Sequence, residues 1–172
     1  MVAALNVATA KARATAHTAD ELVVAADTLV VIDEDILGKP VDADEARGML
    51  LRLRGREHHV LTGVCLTWRD LAWAGVVATR VIMRGYSDVE IGAYIDRGEP
   101  FDKAGAYAIQ DPTFQPVERL DGCYLNVVGL PLCAVAAGLT AMDVPMAVAV
   151  ERAGRPPCTY CDRGERLVRS GY

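Results

Sequence analysis

The stretch ADTLVVIDEDILGKP, residues 26–40, decides how this chain of 172 residues is expected to fold. An apolar run over residues 22–26 leads into Asp27 and Thr28, and a second apolar run follows over residues 29–32. Uninterrupted runs rich in β-branched residues are typical of buried strands, and we predict a strand that ends at Asp27. A carboxylate in that position is costly to bury unless a positive group pairs with it.

Lys39 is the residue that this stretch offers as a partner for Asp27, beyond the acidic turn at residues 33–35. Gly38 allows a close approach of the backbone, and Pro40 stiffens the exit. A carboxylate and an ammonium on adjacent loops suit phosphate chemistry, because one can hold a metal or activate water while the other holds the phosphate. A structural salt bridge at the end of a strand explains the same spacing.

Length and composition indicate one globular domain, with 52% hydrophobic and 24% charged residues. We predict that this domain spans residues 1–150. Residues 151–172 are rich in glycine, proline and arginine with little apolar periodicity, and we expect a poorly ordered tail there. The net charge of −5 argues against a nucleic-acid partner, and an anionic ligand would need a local cluster of positive charge.

Lysine is scarce in this chain, since all but three of its 18 basic residues are arginine. Such a bias reflects genome composition, which exchanges lysine for arginine wherever either serves. A guanidinium does not replace a compact ammonium at every site, and the remaining lysines are therefore candidates for specific roles, unless they survive by chance. They are Lys11, Lys39 and Lys103.

The sequence predicts a cytoplasmic protein with no membrane span and reduced thiols. The first ten residues carry no basic region, which is unlike a signal peptide. The uncharged stretch 126–142 is short for a span of about 20 residues, and we expect a buried helix with its entry turn there. Cys65, Cys123 and Cys133 lie in apolar contexts, whereas Cys158 and Cys161 offer two of the four ligands of a structural zinc site.

Periodicity and capping residues predict the remaining elements. Capping boxes at residues 42–45 and 87–90 indicate two helix starts, and alternation indicates a hairpin of two strands. The first predicted helix covers residues 3–19, and two more begin at residues 42 and 87. The predicted strands after the first cover 58–68, 72–84, 106–109 and 118–120. Residues 99–111 form a loop dense in glycine, proline and polar residues, which indicates function or else an ordinary connection into a strand.

Two further groups of residues could supply positive charge or metal ligands. His58 and His59 are adjacent on a strand and point to opposite faces, which argues against a shared metal ion. Four arginines are expected to form a solvated face on the helix after residue 42 and just beyond it, or to supply part of the charge that a phosphate needs: Arg47, Arg52, Arg54 and Arg56.

Four sequence blocks together resemble the Maf family of nucleoside triphosphate pyrophosphatases. They are ADTLVVIDEDILGKP at 26–40, LRLRGREHHVLTGV at 51–64, YIDRGEPFDKAGAYAIQ at 94–110 and LDGCYLNVVGLPL at 120–132. The resemblance covers roughly residues 5 to 140, and the order and spacing of the blocks are specific. It implies an α/β fold with a mixed, twisted sheet flanked by helices, in the Maf/ITPase-like (anticodon-binding-like) architecture.

The same resemblance implies an activity and its residues. Family members release pyrophosphate from nucleoside triphosphates with a divalent metal, Mg²⁺ or Mn²⁺, and are often homodimers. The proton acceptor of the family, which also serves the metal, matches Asp27, and the residues that set base specificity match Thr28 and Gln110. The phosphate-contacting lysines match Lys11, Lys39 and Lys103.

The blocks at 26–28 and 103–110 resemble the branch that acts on dTTP and UTP. Family members begin with a strand and a loop of the form S-x-S-P-R-R, and no Pro-Arg-Arg occurs in this sequence. We therefore expect an N-terminally truncated version of the fold, and a catalytically impaired nucleotide-binding or cell-division-regulating protein remains an alternative. A phosphatase with Asp27 as nucleophile would place a second aspartate two residues on, where this chain has Leu29.

Overall fold

A computed structural model describes residues 2–15, 17–18 and 20–145 of the chain. Its strands are β1 (Val23–Ile32), β2 (Asp35–Leu37), β3 (Glu57–Trp68), β4 (Leu71–Met83) and β5 (Val117–Asp121). They form one sheet in the order β2-β1-β3-β4-β5, in which β2 runs antiparallel to β1 and β5 antiparallel to β4. The helices are α1 (Val2–Ala14), α2 (Ala43–Leu53), α3 (Asp88–Asp96), α4 (Tyr124–Val128) and α5 (Leu132–Ala141). The predicted α/β class, a sheet with flanking helices, is confirmed.

The chain forms two compact units, each built from several separate stretches of the sequence. Of the described residues, those within 1–28, 61–78 and 122–145 form the first unit, and those within 29–60 and 79–121 form the second. Strands β1, β3 and β4 each contribute one part to either unit. A single domain over residues 1–150 stays a prediction, and the tail predicted at 151–172, with Cys158 and Cys161, lies outside the described residues.

In the first unit, α1 packs an alanine face against the strands. Ala4, Ala8 and Ala12 recur every fourth residue and are fully buried. The last two cluster with three residues of β1 and β3, which are Val23, Ala25 and Cys65. The approach is so close that a Cβ on Gly63 would lie 2.5 Å from the backbone of Ala4. Small side chains on both sides therefore bring α1 near the sheet.

A second apolar cluster in the first unit packs β3 and β4 against α5. Its β-strand members include Val64, Leu66 and Val77, and its helical members include Val135 and Leu139. The buried helix predicted within residues 126–142 is thus confirmed, although the chain divides it into α4 and α5.

The second unit is organised around aromatic residues. Tyr94 stacks on Phe114 with ring centroids 4.5 Å apart, and Tyr86 lies tilted against the same ring at 4.8 Å. The buried Tyr86 hydroxyl donates to the Leu50 carbonyl of α2 at 2.7 Å. Buried tyrosine hydroxyls normally find such a partner, and this bond ties α2 to the segment that precedes α3.

Several predicted boundaries differ from the structure. The capping box at Ser87 is confirmed, but at Asp42 only half of one forms, because the Glu45 carboxylate accepts from Val41 N–H instead of the cap residue. Helix α1 ends at Ala14, short of the predicted residue 19. The strand predicted at 106–109 is wrong: the described backbone forms a 3₁₀ turn at Ala104–Ala106 and further turns after it.

Candidate active site

Asp27 lies in the middle of β1 and not at the end of a strand, which corrects the prediction. The strand continues through Asp27 and Thr28 to Ile32 as one ten-residue element. The reason is that both polar side chains find partners, so that neither has to interrupt the strand. Both residues are half-buried.

The partner of Asp27 is Lys11 of α1. The Lys11 ammonium donates to Asp27 Oδ1 at 2.8 Å and to the Ala26 carbonyl at 3.3 Å. The alanine face of α1 explains this geometry, because Lys11 is next to the buried Ala12 and Asp27 follows Ala25 on the same face of β1. The lysine side chain is 54% exposed and the aspartate 19%, so that the charge-compensated carboxylate is held in a partly desolvated position.

Thr28 points to the opposite face of β1 and has its own set of partners. Its hydroxyl lies 2.8 Å from the Thr62 hydroxyl on β3, and Thr62 in turn donates to the Asn126 carbonyl of α4 at 3.1 Å. Thr62 and Asn126 are both fully buried. Asp27 and Thr28 therefore belong to two different environments, one beside α1 and one beside α4.

One edge of β1 near these residues is not covered by the neighbouring strand. The short strand β2 pairs only with Val30, Val31 and Ile32. Among the described residues, no other strand lies on that side of β1. The backbone around Asp27 and Thr28 therefore has a strand neighbour in β3 but none in β2.

In the second unit, the loops that carry Lys39 and Lys103 are tied together. Gly105 N–H donates to the Gly38 carbonyl at 2.9 Å. Lys103 forms an ion pair with Asp102 at 2.5 Å. This hydrogen bond lowers the pKa of Asp102, and the charge of Lys39 lowers it further. The charges of both lysines therefore act on one exposed carboxylate.

Gln110 is exposed at a turn that a buried carboxylate stabilises. The Asp111 side chain, 4% exposed, pairs with Arg97 at 2.9 Å and accepts from the backbone N–H groups of Thr113 and Phe114. Burial alone would raise the pKa of Asp111, but the hydrogen bonds from Phe114, Arg97 and Thr113 outweigh it and hold the pKa below its usual value. Asp111, which follows Gln110 directly, is therefore fixed by one ion pair and two backbone hydrogen bonds.

The arginines beyond residue 50 are engaged with carboxylates of the second unit. Arg52 pairs with Asp35 at 2.7 Å, Arg56 with Asp33 at 2.7 Å, and Arg54 with Asp88 at 2.6 Å. Each of these arginines is thus paired with a carboxylate, and their role as a solvated face or as part of a phosphate-binding site stays a prediction. Of the adjacent histidines, His58 is buried and bonds to the Tyr107 hydroxyl, whereas His59 is exposed, as alternation along a strand requires.

The donor set limits how a metal could be held. Within the part of the chain that the structure describes, no group of three or more histidine, cysteine, aspartate or glutamate side chains is placed to bind one. Mg²⁺ is commonly held by one or two carboxylates together with substrate phosphates and water. Asp27 fits that role for a cation that enters with a nucleotide, and does not fit a resident site built from protein ligands.

Three supporting residues were not singled out from the sequence. Thr62 is a polar residue in the alternating buried face of β3, and Asn126 is a polar residue opening an uncharged stretch, and those are the signals that pattern analysis could have used. Asp111 gave no such signal, because its burial depends on Arg97, which is distant in sequence.

No described helix is long and apolar enough to cross a membrane.

Comparison with known proteins agrees with the sequence blocks. The family model described as Maf-like protein matches residues 2–142. A dTTP/UTP pyrophosphatase of Thermomicrobium roseum is 48% identical over 148 residues, which cover 86% of this chain and 68% of that protein. Proteins with the same description from Dehalococcoides mccartyi and Syntrophomonas wolfei are 40% and 50% identical, over 98% and 77% of this chain and 75% and 72% of their own lengths.

Proposed function

This chain belongs to the Maf-like protein family, and from that premise we propose that it hydrolyses dTTP and UTP to the nucleoside monophosphate and pyrophosphate. The observation that supports this proposal best is the ion pair of Lys11 with Asp27 at 2.8 Å. The proposal assigns Asp27 as the proton acceptor and Lys11 as a phosphate-binding ammonium, and the ion pair supports it because the two groups are adjacent.

In the proposed reaction, Asp27 accepts a proton from a water molecule whose oxygen attacks the α-phosphorus. The bond from that phosphorus to the oxygen bridging the α- and β-phosphates breaks, and pyrophosphate leaves with the bond's electron pair. When the nucleotide binds, the ammonium of Lys11 leaves the Asp27 carboxylate and contacts the triphosphate. Asp27 is then free to act as a base. An ammonium placed where negative charge develops lowers the barrier electrostatically.

A divalent cation, Mg²⁺ or Mn²⁺, is part of this proposal. When bound with the nucleotide, it would neutralise phosphate charge and acidify a coordinated water. Asp27 is the residue that would hold it. Lys39 and Lys103 of the second unit are proposed to bind phosphate oxygens, and the hydrogen bond from Gly105 N–H to the Gly38 carbonyl supports this because it joins the two loops that carry them.

Base recognition is proposed to rest on Thr28 and Gln110. A glutamine amide donates and accepts at once and can therefore read the edge of a pyrimidine. The rigid turn at Asp111 supports such a role, because it limits the conformations open to the preceding residue.

The test is product analysis with dTTP and UTP in the presence of Mg²⁺ or Mn²⁺. We expect equal amounts of monophosphate and pyrophosphate, and a loss of turnover by at least about a hundredfold in Asp27→Asn, since general bases commonly contribute 10²–10⁴-fold. Asp70→Asn, in the exposed turn between β3 and β4, is the matched control and should keep the wild-type rate. Full activity of Asp27→Asn would refute the role of that carboxylate.

Titration calorimetry with dTTP on the same preparation separates an enzyme from a binding protein. Binding without turnover would favour the alternative of a catalytically impaired Maf-like protein.

A homodimer is also proposed on the family resemblance, and light scattering of the full chain would measure its mass. A monomer at the concentrations of the assay would contradict it.

A further inference from the structure

The hydroxyl groups of Thr28 and Thr62 and the carbonyl of Asn126 form a chain in which the direction of each hydrogen bond can be assigned. A carbonyl oxygen only accepts, and the 3.1 Å contact between Thr62 Oγ1 and the Asn126 oxygen therefore requires the Thr62 proton. Thr62 has one hydroxyl proton. The 2.8 Å contact between the two hydroxyls must then use the proton of Thr28.

The opposite assignment is unfavourable because of burial. If Thr62 donated to Thr28, its oxygen and the Asn126 carbonyl oxygen would face each other at 3.1 Å without a proton between them. Both residues are fully buried, so that water could not relieve this repulsion. The Asn126 carbonyl also accepts from Gly129 N–H at 3.2 Å, which leaves its second lone pair for Thr62.

We propose that Thr62 is a positioning residue that fixes the Thr28 hydroxyl as a hydrogen-bond acceptor toward the ligand, so that Thr28 selects a pyrimidine ring that carries N3–H. This inference rests on the proposed function, in which Thr28 contacts the base. Uracil and thymine present N3–H as a donor. Cytosine presents a lone pair at N3, which would face the lone pairs of Thr28.

Gly129 borders the Thr28 hydroxyl. A Cβ on Gly129 would lie 3.8 Å from Thr28 Oγ1, and the φ of +122° at Gly129 excludes most other residues from that position. Since Thr28 lies on the face of β1 opposite to Asp27, the proposed base contact is separate from the proton acceptor. A site that uses fixed hydrogen-bond directions rejects an analogue strongly, because the mismatch leaves polar groups unpaired.

The deciding experiment compares Thr62→Val with Thr62→Ser. Valine has the shape of threonine without the hydroxyl, and it frees the Thr28 proton to face the ligand. We expect the ratio of kcat/KM for UTP over CTP to fall about tenfold in Thr62→Val, the size of one hydrogen bond, and to stay near the wild-type value in Thr62→Ser. An unchanged ratio in a folded Thr62→Val protein overturns the proposal.

The double variant Thr28→Val/Thr62→Val distinguishes a positioning role of Thr62 from a purely structural one. If Thr62 acts through the Thr28 hydroxyl, its substitution has no further effect on the UTP-to-CTP ratio in the Thr28→Val background. A further fall in the double variant would contradict the proposal.

Two measurements keep the inference testable without turnover and without the valine variant. If the wild type binds but does not hydrolyse nucleotides, the proposed function fails, and the same ratios are then measured as dissociation constants by calorimetry. If Thr62→Val does not fold, N3-methyl-UTP is compared with UTP on the wild type. Loss of the N3 hydrogen should weaken binding about tenfold or more, and equal binding of both nucleotides overturns the proposal.

Discussion

Gly105 donates its backbone N–H to the carbonyl of Gly38 at 2.9 Å, and this one bond joins the loop of Lys103 to the loop of Lys39. Gly105 has a φ of +70°, and a Cβ there would lie 3.0 Å from Val30 Cγ1. The left-handed backbone and the close approach both require glycine. The relative position of the two lysines therefore depends on a residue that carries no side chain.

Gly105→Ala should destabilise the protein and weaken nucleotide binding together. The positive φ costs about 1–2 kcal/mol for a residue with a Cβ, and the contact with Val30 adds to it. We expect the free energy of unfolding to fall by about 2 kcal/mol and KM for dTTP to rise more than kcat falls. Gly85→Ala is the control, since a Cβ there meets nothing within 4 Å. Equal KM values for both variants would show that the loop junction does not position the lysines.

Lys11→Met should lower activity far more than it lowers stability. An ion pair with one exposed partner contributes about 1 kcal/mol or less to folding, whereas a group that stabilises developing charge contributes about 10²–10³ in rate. We expect kcat/KM to fall by about that factor while the free energy of unfolding falls by only about 1 kcal/mol. Arg13→Met removes an exposed charge from the same turn of α1 and should leave the rate unchanged. Similar losses in both variants would indicate a general effect of charge on substrate attraction.

Local signals in the sequence predicted several elements of the fold. The capping box at Ser87 and the hairpin of β3 and β4 follow from capping residues and alternation, and the structure confirms both. The scarcity of lysine pointed to Lys11, which the structure places against Asp27. Each of these signals involves neighbouring residues or one residue type.

The predictions that failed depend on contacts between distant segments. Asp27 was expected to end its strand because a buried carboxylate usually does, and only the packing of α1 brings Lys11 within 2.8 Å of it. The stretch at residues 106–109 has the composition of a strand, but Gly105 bonds to Gly38 and Ala108 N–H donates to the Tyr94 hydroxyl at 3.0 Å. These tertiary bonds replace the strand pairing that the pattern indicated.

Asp111→Ala should loosen the turn that follows Gln110. It removes an acceptor for two backbone N–H groups and leaves Arg97 without its carboxylate, and each unsatisfied buried donor costs about 1–3 kcal/mol. We expect a loss of about 3 kcal/mol in the free energy of unfolding and weaker discrimination between UTP and other nucleotides. Asp96→Ala removes an exposed carboxylate of α3 and serves as the control. If Asp111→Ala discriminates as the wild type does, the turn has no part in base recognition.

His58 should make the stability of the fold depend on pH below neutrality. Burial, with a smaller contribution from the charge of His59, lowers the pKa of His58 from 6.5 to about 4. The unfolded chain therefore takes up this proton at a higher pH than the folded one. The stability that neutral His58 provides is fully present above pH 6.5 and is lost as the pH falls from 6.5 to about 4. The shift corresponds to about 3 kcal/mol across that window.

The measurement is denaturant unfolding of the wild type and of His58→Gln between pH 4 and 7.5. Glutamine keeps a neutral hydrogen-bonding group near the Tyr107 hydroxyl but cannot take up the proton. We expect the difference in unfolding free energy between the two proteins to shift by about 3 kcal/mol in favour of the variant as the pH falls. His59→Gln changes an exposed neighbour and should follow the wild-type pH profile within about 0.5 kcal/mol. Parallel profiles for the wild type and His58→Gln would mean that acid unfolding is governed by the carboxylates, such as Asp111, and not by the buried imidazole.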